Sequence, residues 1–329
     1  IDTYNNKLST YIISTSTKTK NMSNLYSNII PQNTPQNFME PQVKQYGSNM
    51  VMTNVYKPKK TKYVNIDTRF TDEYVYPVKN FNGVSNYIIT LPERINDVHS
   101  MKVRNMEIPM SFYNISTSLG NNSFKIVNGA TSRMVVLPDG IYSSSDISNS
   151  VYTQAGSYLS NTNINTNQYF SMTGSGNYEV DFNTDVCGNM DKYNFRSKLG
   201  WLLGYRDISN SLVSGSALQA PSMINTHSVR YLYLVVDEYN NSFPNTFICP
   251  QNQYLMNKKV LARISMDNLY PFGTILHGNE SNGTVISDNR MYSGKIDIQR
   301  LNIQLVNEWG MPINLNGMDF SFVLEIEYE

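Results

Sequence analysis

The last ten residues are the strongest constraint on the fold of this chain. Phe320, Phe322, Leu324, Ile326 and Tyr328 alternate with Ser321, Val323, Glu325 and Glu327. In an extended strand successive side chains point to opposite faces, so this spacing gathers the aromatic and aliphatic groups on one side. A one-residue slip would turn that whole face into water, so the pairing register is strongly specified. The segment therefore reads as a strand with one buried face.

The same signal recurs upstream. Short runs rich in β-branched and aromatic residues alternate with Asn, Gly, Pro and Ser clusters from Tyr63 onward. The runs are Tyr63–Asp67, Asn86–Leu91 before Pro92, Val98–Ile108 before Pro109, Ser123–Val127, Arg133–Leu137, Asn177–Phe182 and Val260–Ser265. Asn128-Gly129 between the fourth and fifth runs is a hairpin turn signal. Residues 228–236 are nearly continuous in apolar character, the pattern of a central strand. Ile296 and Ile298 alternate, the phase slips at Gln299-Arg300, and Leu301, Ile303 and Leu305 resume in the shifted register. Such a slip requires a β-bulge or two separate strands. Helix signals are few: Ser143 to Asp146 can cap a short helix through Ile147 and Val151, and Tyr193–Leu203 holds a second, interrupted at Gly200. About ten strands and two short helices predict an all-β chain, a sandwich or barrel of antiparallel strands.

Residues 1–57 read differently. Asn, Ser, Thr, Gln and Pro dominate, no period of 2 or 3.6 is sustained, and Pro31, Pro35 and Pro41 exclude a long helix. The segment is thus a disordered or an extended N-terminal arm, and spaced anchors such as Tyr11, Leu25, Tyr26, Ile29 and Phe38 favour an arm ordered by neighbours over a solvated linker. Lys57, Lys59, Lys60 and Lys62 mark the boundary, and 58–329 is read as the folded domain.

The charge balance excludes several functions. The chain carries 26 basic and 26 acidic side chains, so no net field draws it to nucleic acid or anionic membrane. Charged residues are only 16% of the chain, and Asn, Ser, Thr and Tyr take their place. AT-rich codon usage accounts for much of this; a neutral polar surface also costs less to desolvate under a permanent partner. No apolar stretch reaches the length of a membrane span, and no basic-then-apolar leader pattern is present.

No motif for chemistry emerges. His99, His227 and His277 each stand apart from other metal ligands in the sequence. Cys187 and Cys249 form no Cys-x-x-Cys pair; two buried thiols and one disulfide both remain open. Gly174-Ser-Gly176 is too short for a nucleotide fingerprint, and Asp67, Asp72 and Glu73 lack Ca²⁺-loop spacing while Arg69 offers an ion-pair partner. The sequons at Asn21, Asn114, Asn121, Asn240, Asn279 and Asn282 are read as chance in an Asn-rich chain. The 24 tyrosines lack interleaved Lys and Arg, which favours core and contact surface over nucleic-acid stacking, with glycan binding second. Catalytic, cofactor and metal residues are therefore assigned as none.

Several stretches carry a resemblance. Tyr63-Val-Asn-Ile-Asp-Thr-Arg69 is followed by Tyr87–Ile95, Val98–Pro109, Phe112–Ser116, Leu119–Asn122, Leu137–Tyr142, Lys198–Arg206, Ile296–Leu305 and Met318–Glu327. In this order, over roughly residues 60–329, the chain resembles minor capsid proteins of nucleocytoplasmic large DNA viruses, the giant icosahedral viruses. The resemblance implies a jelly-roll-like β-sandwich without catalytic residues or cofactors, located in the virion shell and assembled in the host cytoplasm. It implies as partners the major capsid protein and other minor capsid proteins, in multiple copies or as a homo-oligomer. A vertex penton and an under-shell linking protein are both compatible with it, and a glycan-binding attachment module is the reading from another class.

Overall fold

A computed structural model describes residues 58–70, 85–185, 195–227, 229–239, 259–266, 271–287 and 289–329. The arm expected over 1–57, both cysteines, and Asp72 with Glu73 lie outside the described residues.

The chain folds as antiparallel β-sheet with two short α-helices, the jelly-roll-like sandwich expected. Eight strands form one curled sheet. On one side lie β1 (Lys60–Asp67), β15 (Ser321–Tyr328), the second half of β2 (Asn86–Pro109) and β12 (Ile275–Asn279). On the other lie β13 (Val285–Ser287), β11 (Val260–Ser265), β10 (Tyr231–Asp237), β14 (Arg290–Asn307) and the first half of β2. The curl folds these onto a common core that includes Val98, Met101, Leu234, Leu301, Ile303, Phe322 and Leu324.

The C-terminal alternation appears as expected. Phe320, Phe322, Leu324 and Ile326 are buried in that core, each contributing roughly 2 kcal/mol of gross transfer free energy. β15 is an interior strand, hydrogen-bonded to β1 on one edge and to β2 on the other. Its opposite face carries charge that is paired: Glu325 accepts from Arg104 and lies 3.9 Å from Lys102. β10, predicted as central, is buried on both faces and pairs with both β11 and β14.

The two runs on either side of Pro92 are one strand rather than two. Between Thr90↔Arg300 and Ile95↔Ile298, four residues of β2 oppose Gln299 alone. Pro92 sits inside this bulge, where no ladder hydrogen bond is asked of its missing N–H. The same register shift is the phase slip at Gln299-Arg300, and it lets Ile298, Leu301, Ile303 and Leu305 all face inward.

Residues between β2 and β10 build a second hydrophobic core. It has two small sheets. One is formed by β3 (Ser123–Asn128), β4 (Thr131–Val136), β7 (Tyr178–Asp181) and β8 (Ser209–Leu212). The other contains β5 (Leu159–Ile164), β6 (Phe170–Gly174) and β9 (Ala217–Gln219). Helix α1 (Ser144–Ala155) packs on β5 and β4 through Ile147, Val151 and Ala155, one apolar stripe at helical spacing. The predicted cap is present as a capping box: the Asp146 N–H donates to the Ser143 hydroxyl, and the Ser143 N–H to the Asp146 carboxylate. The second helix, α2, is a single turn, Leu199–Leu202, after a 3₁₀ turn at Phe195–Ser197. It contains Gly200 instead of being broken there. Gly200 is required by packing: a Cβ would lie 2.3 Å from Cγ of Phe182. Phe182 in turn stacks on Tyr205 at 4.7 Å and meets Phe124 at 5.3 Å, an aromatic column through the second core.

Asparagines tie the two cores together. Asn114 Nδ2 donates to the carbonyls of Tyr142 (2.8 Å) and Thr226 (3.1 Å), and its Oδ1 accepts from the Tyr142 N–H (2.9 Å). One side chain thus clamps the segment leaving β2, the entry to α1 and the segment returning to β10. Asn121 Nδ2 donates to the Asn114 carbonyl while its Oδ1 accepts from the Ser116 N–H. Asn122 Nδ2 donates to Thr117 Oγ1 and the Leu137 carbonyl. Asn121 and Asn122 are buried. Asn114 and Asn121 thus spend their side-chain amides on backbone groups of the neck.

Two outcomes follow for stability. Gly200→Ala forces a methyl group into Phe182 and is expected to cost about 1–3 kcal/mol, read as a lower urea midpoint with unchanged slope. Asn114→Ala strands three backbone groups at the neck and is expected to cost about 2 kcal/mol. Amide exchange at Tyr142 should rise selectively in that variant; an unchanged Tyr142 rate would show that Asn114 is not the clamp.

Candidate interaction surface

The titratable residues singled out in the sequence are dispersed by the fold. His99 Nε2 lies 3.0 Å from Glu329 Oε1 on the outer face of β2, and His277 Nδ1 lies 3.6 Å from Glu107 Oε1 on β12. His227 is on neither strand and faces the junction of the two cores. Asp67 is bound by Arg69, whose guanidinium holds the carboxyl below its ordinary value. Among the described residues no three His, Cys, Asp or Glu side chains cluster as metal ligands. Nor is any helix there long and apolar enough to cross a membrane.

The most buried charges are structural. Arg290 and Glu238 have fully buried side chains and pair at 2.8 Å. Arg290 also donates to the carbonyls of Val236 (2.8 Å) and Lys259 (2.9 Å), so one guanidinium joins β14, β10 and the approach to β11. Burial pushes the Glu238 carboxyl up, and Arg290 opposes that rise. No ligand reaches a pair sealed this way; its geometry suits strand registration.

Two surface features remain. The first is a groove of about 460 Å³ along the open side of the sandwich, between β1 and the first half of β2. Lys62 and Glu93 pair across it, and Tyr63 and Phe70 stand on its rim with 61% and 79% of their surface exposed. Tyr63 lies on the edge strand β1 and Phe70 in the 3₁₀ turn that follows it.

The second is a trench at the junction of the two cores. Two adjoining hollows, about 630 and 300 Å³, share Asn225, His227 and Arg230, which lie on the segment returning from the second core to β10. The larger is walled by Met110, Phe112, Tyr142 and Phe272, and Phe272 stacks on Tyr113 at 6.0 Å. The smaller is walled by Arg196, Trp201, Tyr231, Glu308 and Trp309. Trp201 and Trp309 are the only tryptophans of the chain; one comes from the second core and the other from the turn after β14. Arg206 lies over the Trp201 ring at 4.0 Å and Arg263 over Tyr231 at 4.3 Å, which fixes both rings. Glu308 Oε2 accepts weakly from the Arg230 N–H at 3.4 Å, and burial raises its carboxyl pKa. Sequence reasoning missed this trench, because its walls come from segments far apart in the chain and no local motif links them.

No family model matches the chain, and no curated protein matches it. Among solved structures it is similar to the crystal structure of SeMet-labeled mavirus penton protein, with 9% sequence identity and a TM-score of 0.40 over 83% of this chain and 100% of that one.

Proposed function

We propose that this protein is a structural minor capsid protein of a large icosahedral DNA virus, built to hold neighbouring capsomers together. The observation that supports this reading most is where the resemblance falls. The stretches that resemble minor capsid proteins fall on the frame of the molecule. Val98–Pro109 lies in the curled strand β2, and Phe112–Ser116 with Leu119–Asn122 makes the asparagine neck. Lys198–Arg206 packs the second core, and Ile296–Leu305 with Met318–Glu327 supplies β14 and β15. A chain whose characteristic residues are spent on rigidity acts through shape.

The exposed rim of the β1–β2 groove supplies contact area, and residues 1–57 act as an arm whose spaced apolar anchors seat on adjacent subunits. Many weak linked contacts then sum to a stable shell. The penton reading differs in symmetry: it requires five copies around an axis.

Mass spectrometry of purified virions is expected to find the chain at fixed copy number, and an image reconstruction should fit its two-core unit into the shell. Absence from purified particles would defeat the proposal. A stable pentamer by light scattering selects the penton reading, and a monomer selects the linking one. Deleting residues 1–57 should leave a folded domain that fails to enter particles; normal incorporation would sink the arm.

A further inference from the structure

We infer that the free edge of β1 takes up an added strand, and that this strand is residues 11–17 of a second copy of the chain. The inference rests on the arm reading above and gives the arm a seat. Hydrogen-bond parity carries it. The Thr68 N–H donates to the Phe320 carbonyl at 3.1 Å, where the β1–β15 register continues past Asp67↔Ser321. Antiparallel ladders alternate bonded and non-bonded pairs, so Ile66, Val64 and Lys62 turn their N–H and C=O groups toward β15. Thr61, Tyr63 and Asn65 turn theirs the other way, and among the described residues no backbone pairs with them there. Such a row of outward N–H and C=O groups is a template for pairing with another chain.

The groove shows the same edge from outside. A strand's face presents alternate side chains, yet every residue from Lys62 to Asp67 lines the groove. Across from them stand Ile89, Thr90 and Leu91. Val64 and Ile89 pack on the main core but are only partly buried, so the core is incompletely covered along this opening. A strand laid along β1 would place alternate side chains beside Val64 and complete the cover. Because β2 forms a second wall, a single extended segment enters where the edge of a folded sheet would not.

Charge and sequence select the occupant. The charges at the groove are paired within the chain, Lys62 with Glu93 and Asp67 with Arg69, so an uncharged segment suits it. Residues 11–17, Tyr-Ile-Ile-Ser-Thr-Ser-Thr, carry no charge and are rich in aromatic and β-branched strand formers. Alternation sets Tyr11, Ile13 and Thr15 on one side, for the core, and Ile12, Ser14 and Ser16 on the other. The chain between Thr17 and Pro58 can span up to roughly 135 Å at about 3.3 Å per residue, enough to reach a neighbouring subunit.

Residue-resolved amide exchange and sedimentation of the full chain test this together. As concentration rises, the chain should self-associate, and exchange at Thr61, Tyr63 and Asn65 should slow about tenfold or more. Lys62, Val64 and Ile66 are bonded to β15 and serve as the internal control, slow throughout. Ile13→Asp should abolish both responses. Asn65→Pro removes one outward donor without touching the β15 ladder and should weaken self-association about tenfold. A synthetic peptide of residues 8–17 should compete, dispersing the oligomer while keeping the three amides slow. Fast exchange at these amides at every concentration would overturn the inference. So would slow exchange in a chain that stays monomeric, which marks its own arm as the occupant, or self-association that Ile13→Asp leaves intact, which marks edge-to-edge contact. If the three amides never respond but deletion of residues 1–57 still blocks entry into particles, the seat fails and the arm reading stands.

Discussion

The structure depends on one strand that changes layers without turning its apolar face outward. β2 runs for 24 residues and pairs with β14, β15 and β12 in succession. Its buried apolar residues do not keep one parity: Leu91 and Ile95 are followed by Val98, then Met101 and Val103, then Met106 and Ile108. Each change of parity falls at a register shift. β2 has one more residue than β14 between Ile95 and Val98. His99 is the extra residue against Glu327–Tyr328, and Arg104 the extra residue against Val323–Leu324. Every bulge resets the face and adds twist, so the strand can bend around the core while its apolar groups stay inside it. Both extra residues are polar, which is what a side chain pushed out of the alternation should be.

This explains how much of the fold is legible in the sequence. Where one face is buried over a whole strand, as in β15, period two is visible and the assignment is direct. β10 is visible for the opposite reason: it is apolar on both faces because it is covered on both. The slip at Gln299-Arg300 is readable because a flipped face is too costly to leave unexplained. β2 reads as two strands because Pro92 ends a local pattern, and only its partner β14 reveals that a bulge absorbs it. The strands β5, β8 and β9 escape notice because they are short and polar, with sequences such as Ser160-Asn-Thr-Asn163. Their pairing is imposed by α1 and by the aromatic column of Phe124, Phe182 and Tyr205, and no local preference announces it.

The functional surfaces are less legible than the fold, and the reason is topological. The trench exists because the second core is inserted between β2 and β10, so that its exit segment passes beside the turn after β14. The neck asparagines set that geometry. Backbone groups at a junction cannot be satisfied by a sheet ladder, and Asn, with two donors and an acceptor on a short stem, meets several at once. The Asn richness that codon usage partly explains thus does specific structural work at Asn114, Asn121 and Asn122.

A rigid neck also decides what the trench can do. If the two cores moved freely, their facing walls would have no fixed spacing, and any ligand would have to order them at its own expense. The Asn114 clamp and the backbone bond from Asn225 to Leu202 at 2.7 Å hold the return segment, while the Lys198 ammonium, donating to the Gly120 carbonyl at 3.2 Å, ties the segment leaving β2 to the second core. On the other side, the Met266 N–H donates to the Arg230 carbonyl at 2.9 Å and anchors the same segment to the sandwich. Arg230 is therefore fixed by backbone at the point where the two cores meet, while its guanidinium stays at the trench. The stiffness of the neck and the fixed spacing of the trench walls draw on the same few hydrogen bonds.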